Sequence, residues 1–176
     1  MIDNESVKRL QSVNRILAGR VNRFADELLF DIRITQSYRT PDEQRAYYAQ
    51  GRMGLRAVNS LRKTAGLSAI TLDENSETIT ENAPYHTWHE YGLAVDVVPI
   101  DQTTDFNEAH PVWMKMVTIA RQCKLLNGVS HHHELHLQPV ELPITPTPIF
   151  ISLLQDKKIE DVWEQACLDL RKEENV

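Results

Sequence analysis

The stretch "WHEYGLAVDVVP", Trp88 to Pro99, places Asp96 inside Leu-Ala-Val-Asp-Val-Val. Such a valine-rich run favours a strand, and its apolar character points to a buried one. A carboxylate there is costly unless something pairs with it. His89 stands seven positions earlier. In an unbroken strand an odd offset puts two side chains on opposite faces, so His89 and Asp96 meet only if the chain turns between them. Gly92 is where it can turn, because glycine adopts backbone angles that other residues avoid. Taken alone, the pair is equally well explained as a buried Asp–His contact.

A second cluster shifts the balance. "SHHHELHLQPV" contains His131, His132, His133, Glu134 and His136. As a strand it puts Glu134, His136 and Gln138 on one face, while His131 and His132 read as a solvated tract. Two neutral imidazoles and one carboxylate, with a fourth position open, make a catalytic zinc set. His89, Asp96 and His136 are the expected ligands of one Zn2+ per chain, and the metal is then the partner that the buried aspartate requires.

The other elements point to an α+β fold rather than regular βαβ units. Residues 5 to 28 keep helical spacing through Val7, Leu10, Asn14, Leu17, Val21, Phe24 and Leu28, all apolar except Asn14. "LLFDIRITQS" alternates, with Ile32 and Ile34 on one face, and reads as a strand. "TPDEQRAYYAQG" reads as a helix with Thr40 at the N-cap, Pro41 at the first position, Glu43 completing a capping box and Gly51 as the stop. Residues 51 to 86 read as a long loop with a short helix. "GLAVDVVPI" is the second strand, residues 110 to 128 a buried helix ending at Asn127-Gly128, and "HHELHLQPV" the third strand. "PITPTP" is a stiff connector, and residues 157 to 172 close the chain as an amphipathic helix.

A chain of 176 residues suffices for a single domain with its own core. The net charge of -6, with no long basic block, argues against nucleic acid and anionic membranes as partners. No apolar stretch is long enough to span a bilayer. Cys123 and Cys167 have neither metal nor redox spacing and are expected to be reduced. The first 27 residues lack the apolar core of a signal peptide. Synthesis in the cytoplasm, with another route to any target outside, is the expectation.

"TWHEYGLAVDVV" resembles the S-x-H-x-x-G-x-A-x-D motif of the zinc peptidases that include the D-alanyl-D-alanine carboxypeptidases, the vancomycin-resistance dipeptidases and the L-alanyl-D-glutamate endopeptidases of phage lysins. Thr87 stands at the serine, and His89, Gly92, Ala94 and Asp96 match. "QSYRTPDEQRAYYAQGR" resembles the same family's S-x-R-x-x-x-x-Q-x-x-x-Y-x-x-G-R segment at Ser37, Arg39, Gln44, Tyr48, Gly51 and Arg52. "ELHLQ" resembles the segment that carries the last zinc histidine. The three segments occur in the family's order over positions 36 to 138.

The resemblance implies a small antiparallel sheet carrying one zinc and packed against helices, with a family-like core at about 29–140 and a helical extension at about 148–172. It implies His89, Asp96 and His136 as ligands and Arg39 as the cation that stabilises the charged oxygen forming at the scissile carbonyl. A guanidinium suits that task, and a cation beside a helix N-terminus is otherwise disfavoured. The implied substrate is the peptidoglycan stem peptide, cut at the L-alanyl–D-glutamate bond by a monomer. A D,D- or L,D-carboxypeptidase is the alternative within the family, and a non-catalytic zinc-binding recognition module, as in the hedgehog signalling domain, is the alternative outside it. The family's general base is an acid three before the last histidine. His133 occupies that place here, and Glu134 follows it. Strand alternation favours Glu134, family spacing favours His133.

Overall fold

In the computed structural model, which describes residues 2–100, 110–129 and 134–172, the first amphipathic stripe is two helices and not one. α1 spans Asn4–Leu10 and α2 spans Arg15–Glu27. The break falls at Asn14, the one polar member of the stripe. Its Oδ1 accepts the backbone N–H of Ile16 at 2.9 Å, which caps α2, and its own N–H donates to the Gly92 carbonyl at 2.8 Å. A short polar side chain that satisfies helix-start donors favours a boundary over continuation.

β1 (Ile32–Gln36) and α3 (Pro41–Ala49) follow, and the capping box is present: Thr40 Oγ1 accepts the N–H of Glu43, and Glu43 returns a carboxylate to the N–H of Thr40. The long loop expected over 51–86 holds a ten-residue helix, α4 (Leu55–Thr64). The segment after it is pinned where Ile70 and Asn59 exchange two hydrogen bonds. β2 spans Val95–Pro99 and α5 spans Pro111–Gln122.

The helix expected to run to Asn127-Gly128 stops sooner. Lys124 adopts a left-handed backbone (φ 56°), and Leu125–Val129 form a strand, β3. Asn127 and Gly128 pair with Leu137 and His136 of β4 (Leu135–Pro139). Sheet pairing has overridden a local helical pattern, as tertiary context commonly does. Past the proline-rich connector, α6 (Pro148–Asp156) and α7 (Ile159–Lys172) end the described chain. No described helix is long and apolar enough to cross a membrane.

The strands form one antiparallel sheet in the order β1-β2-β4-β3. Alternation sorts its two faces. Ile32, Ile34, Val95, Val97, Leu135 and Leu137 are fully buried against α2 and α5 through Leu17, Val21, Phe24, Trp113 and Met116. The intervening residues Gln36, Asp96, His136 and Gln138 face the other way and line a cleft. A second apolar cluster joins Trp88, Tyr91, Leu93 and Ala94 to Phe150, Val162, Ala166 and Leu170 of the last two helices. Cys123 and Cys167 are free thiols.

Candidate metal centre

His89 reaches the cleft because the chain turns where the sequence places its glycine. Trp88–Tyr91 form one 3-10 turn, capped when Thr87 Oγ1 accepts the His89 N–H, and Gly92 closes it with φ 59°. The turn puts His89 over β2. Asp96 pairs across the sheet with Gln36 on one side and His136 on the other. The ligand atoms of His89, Asp96 and His136 all lie within 4.8 Å of one another. Donors of a tetrahedral zinc site, each about 2.0–2.1 Å from the ion, sit roughly 3.4 Å apart, so this cluster needs little contraction to hold one.

The hydrogen bonds behind the imidazoles decide which nitrogens face inward. His89 Nδ1 lies 2.9 Å from the Ser37 carbonyl, a pure acceptor, so Nδ1 carries the proton. Its Nε2 faces Asp96 Oδ2 at 3.3 Å. Gln138 is likewise oriented from behind: its amide N–H donates to the Pro143 carbonyl at 2.9 Å, which turns Oε1 toward His136 Nε2 at 3.2 Å. His136 therefore donates from Nε2 and presents Nδ1 to Asp96 Oδ1 at 2.9 Å. These outer partners do for the rings what the second layer of a metal site does.

The charges fit a cation. Burial lowers the pKa of His89, against the pull of Asp96. With Nδ1 turned to the Ser37 carbonyl, the unprotonated form of the ring aims its Nε2 lone pair at the Asp96 carboxylate, and a cation between them relieves that contact. Burial opposes ionisation of Asp96, yet the two imidazoles outweigh it and hold its carboxyl well below the usual range. For His136 burial is outweighed by the Asp96 carboxylate and the Gln138 contact, so its pKa rises. His136 Nδ1, 2.9 Å from Asp96 Oδ1, is the ring nitrogen that faces the cluster and could take a metal. Two imidazoles and one ionised carboxylate are a donor set that fits zinc.

Arg39 is buried, 8% exposed, at the cleft wall. Its N–H donates to the His89 carbonyl at 3.1 Å, and its guanidinium donates to Gln44 Oε1 at 2.7 Å. Gln44 is itself fixed through its amide to the Asn82 carbonyl at 2.6 Å. Gln44 thus serves Arg39, and Trp88 is core. Tyr48 is half-buried with Arg52 over its ring. The ring beside Arg39 belongs to Tyr47 (5.0 Å from the guanidinium carbon), whose place in the cleft the sequence did not reveal.

Glu134 lies just before β4, hydrogen-bonded with Thr35. Burial and the Asp96 charge raise its pKa, with Thr35 and Arg39 opposing. His133, the other expected base, lies outside the described residues, as do His131 and His132. Next to the ligand, Glu90 is fully buried and accepts the Tyr85 N–H at 2.6 Å; burial pushes its carboxyl up to about 7.

No family model matches this chain, and no curated protein matches it. Among solved structures it is similar to Serratia marcescens L-Ala D-Glu endopeptidase ChiX at 13% identity and a TM-score of 0.45, over 79% of this chain and 90% of that one.

Proposed function

We propose that this chain is a zinc-dependent peptidase of peptidoglycan stem peptides, with the L-alanyl–D-glutamate bond as its preferred target. The observation that carries this reading is the convergence of His89, Asp96 and His136 on the cleft wall that also holds the buried Arg39. The motifs around these residues, which resemble those of the zinc peptidases, supply the substrate class. His89, Asp96 and His136 would hold the ion. A zinc ion held there would supply the Lewis acidity that such a hydrolysis needs, acidifying a water and polarising the scissile carbonyl. Arg39, oriented by Gln44, offers a fixed guanidinium to the negative charge that develops on the carbonyl oxygen. Glu134 takes the water's proton and passes it to the leaving amine, with its raised pKa closer to neutrality than an ordinary carboxylate.

The test is digestion of purified cell walls, with mass spectrometry of the released muropeptides, with and without a chelator. New amino termini at D-glutamate, lost on chelation, are expected. Intact walls with a zinc-loaded protein leave a zinc-binding recognition module as the reading. Glu134→Gln and His133→Gln, assayed with zinc content checked, identify the base: loss of hydrolysis with zinc retained is expected for Glu134→Gln. If only His133→Gln is inactive, the family's spacing holds with histidine in place of the acid.

A further inference from the structure

The cleft, about 740 Å³ in volume, contains a second arginine that the chemistry above does not use. Arg62 sits in the last turn of α4, and its guanidinium carbon lies 5.9 Å from the centroid of the Tyr47 ring. Arg39 lies 5.0 Å from the centroid of that ring. One aromatic ring is thus shared by two cations that come from different parts of the chain. Each is held by a glutamine tied to a backbone carbonyl. Arg39 is held by Gln44, itself bonded to Asn82, and Arg62 contacts Gln50 Oε1 at 3.4 Å, with the Gln50 amide donating to the Glu74 carbonyl.

Neither guanidinium forms an ion pair among the described residues. Arg62 Nε donates to the Ser68 carbonyl at 2.6 Å, and beyond the Gln50 contact the rest of its five-donor fork has no protein acceptor among them. The nearby Glu74 carboxylate accepts from the N–H and hydroxyl of Thr71 at 2.7 and 2.8 Å, and Glu77 is exposed at the rim. Two like charges in one cleft repel, and ring contacts offset this only in part. A carboxylate ligand resolves the arrangement, because guanidinium and carboxylate match in charge and in planar two-pronged geometry.

We propose that the Arg62 end of the cleft binds a free carboxylate of the peptide, with Tyr47 as the wall between this subsite and Arg39. The proposal rests on the peptidase reading above. A stem peptide offers two such groups: the α-carboxylate of γ-linked D-glutamate and the C-terminal carboxylate. Engagement of the first suits an endopeptidase, engagement of the second a carboxypeptidase.

The experiment measures equilibrium binding of lysine-type stem peptides, made uncleavable by N-methylation of the scissile amide, to the zinc-loaded full chain. Three forms are compared: both carboxylates free, the D-glutamate α-carboxylate amidated, and the C-terminus amidated. Amidating one of the two is expected to weaken wild-type binding about tenfold or more. Arg62→Gln should bind all three forms alike, with zinc content and melting temperature unchanged. Should Arg62→Gln fold poorly, Arg62→Lys, which keeps the charge but loses the fork, should show reduced discrimination. Amidation without effect on the wild type, or full discrimination kept in the Arg62 variants, overturns the subsite and leaves the peptidase reading standing. A wild-type chain that binds none of the three peptides overturns both.

Discussion

Gln138 Oε1 lies 3.2 Å from His136 Nε2, and the Gln138 amide N–H donates to the same Pro143 carbonyl that accepts the Trp88 indole N–H. A backbone carbonyl beyond the sheet thereby sets which nitrogen of His136 faces the His89–Asp96 cluster. Gln138→Leu should leave the fold intact and weaken zinc binding about 10- to 100-fold. Competition with a chelator of known affinity measures this, and an unchanged zinc affinity would show that the ring is oriented by its strand alone.

The proposed ligand set makes a direct prediction. Asp96→Ala, His89→Ala and His136→Ala should each lose stoichiometric zinc. Asp96→Ala should also lower stability, because two imidazoles then face each other, with ring centroids 5.1 Å apart, without their anion. Elemental analysis decides it, and full occupancy in both histidine variants would sink the assignment.

Arg39→Lys keeps the charge but gives up the fork that Gln44 and Gln36 orient. Turnover on stem peptides should fall about 100-fold or more, the scale for one lost oxyanion donor, with zinc content unchanged. Near-normal turnover would make Arg39 a structural residue.

Glu90 predicts a pH signature in the metal-free chain. Burial holds its folded pKa at about 7 against an ordinary 4.5. Between those values the folded state keeps a proton that the unfolded state releases, so the contribution of Glu90 to stability is fully present below about pH 4.5 and is lost as pH rises through about 7. Glu90→Gln should flatten that part of the melting-temperature profile. Parallel profiles for the two proteins would contradict it.

Gly92 carries two constraints at once. Its φ is 59°, and a Cβ there would come within 3.0 Å of the Trp163 ring. Trp163 also donates its indole N–H to the Tyr91 carbonyl at 2.7 Å, so α7 braces the ligand turn. Gly92→Ala should cost at least about 1–2 kcal/mol from the backbone alone, with weaker zinc binding as the turn shifts. Thermal melts and zinc titration check both effects.

The convergence of His89, Asp96 and His136 was legible in the sequence because its signals are local. Asp96 in an apolar run, Gly92 at the only permissive turn, and His136 alternating with Leu135 and Leu137 each follow from a few neighbouring residues and the period of a strand. The Thr40–Glu43 capping box is of the same kind. Tertiary structure decided the rest. Whether residues 125–129 were helix or strand depended on β4 lying alongside, since sheet bonds come from another segment and leave no local period. Asn14 became a helix cap and a ligand of the Gly92 carbonyl because α2 packs against the distant 3-10 turn. The nitrogen that each imidazole turns inward was set by the carbonyls of Ser37 and Pro143, brought up by chain folding. Tyr47, not Tyr48, faces Arg39 and Arg62 because the packing of α3 against α4 chooses between adjacent side chains on one helix. Spacing brought the ligands into one list; only packing could supply the acceptors behind them that orient a ring.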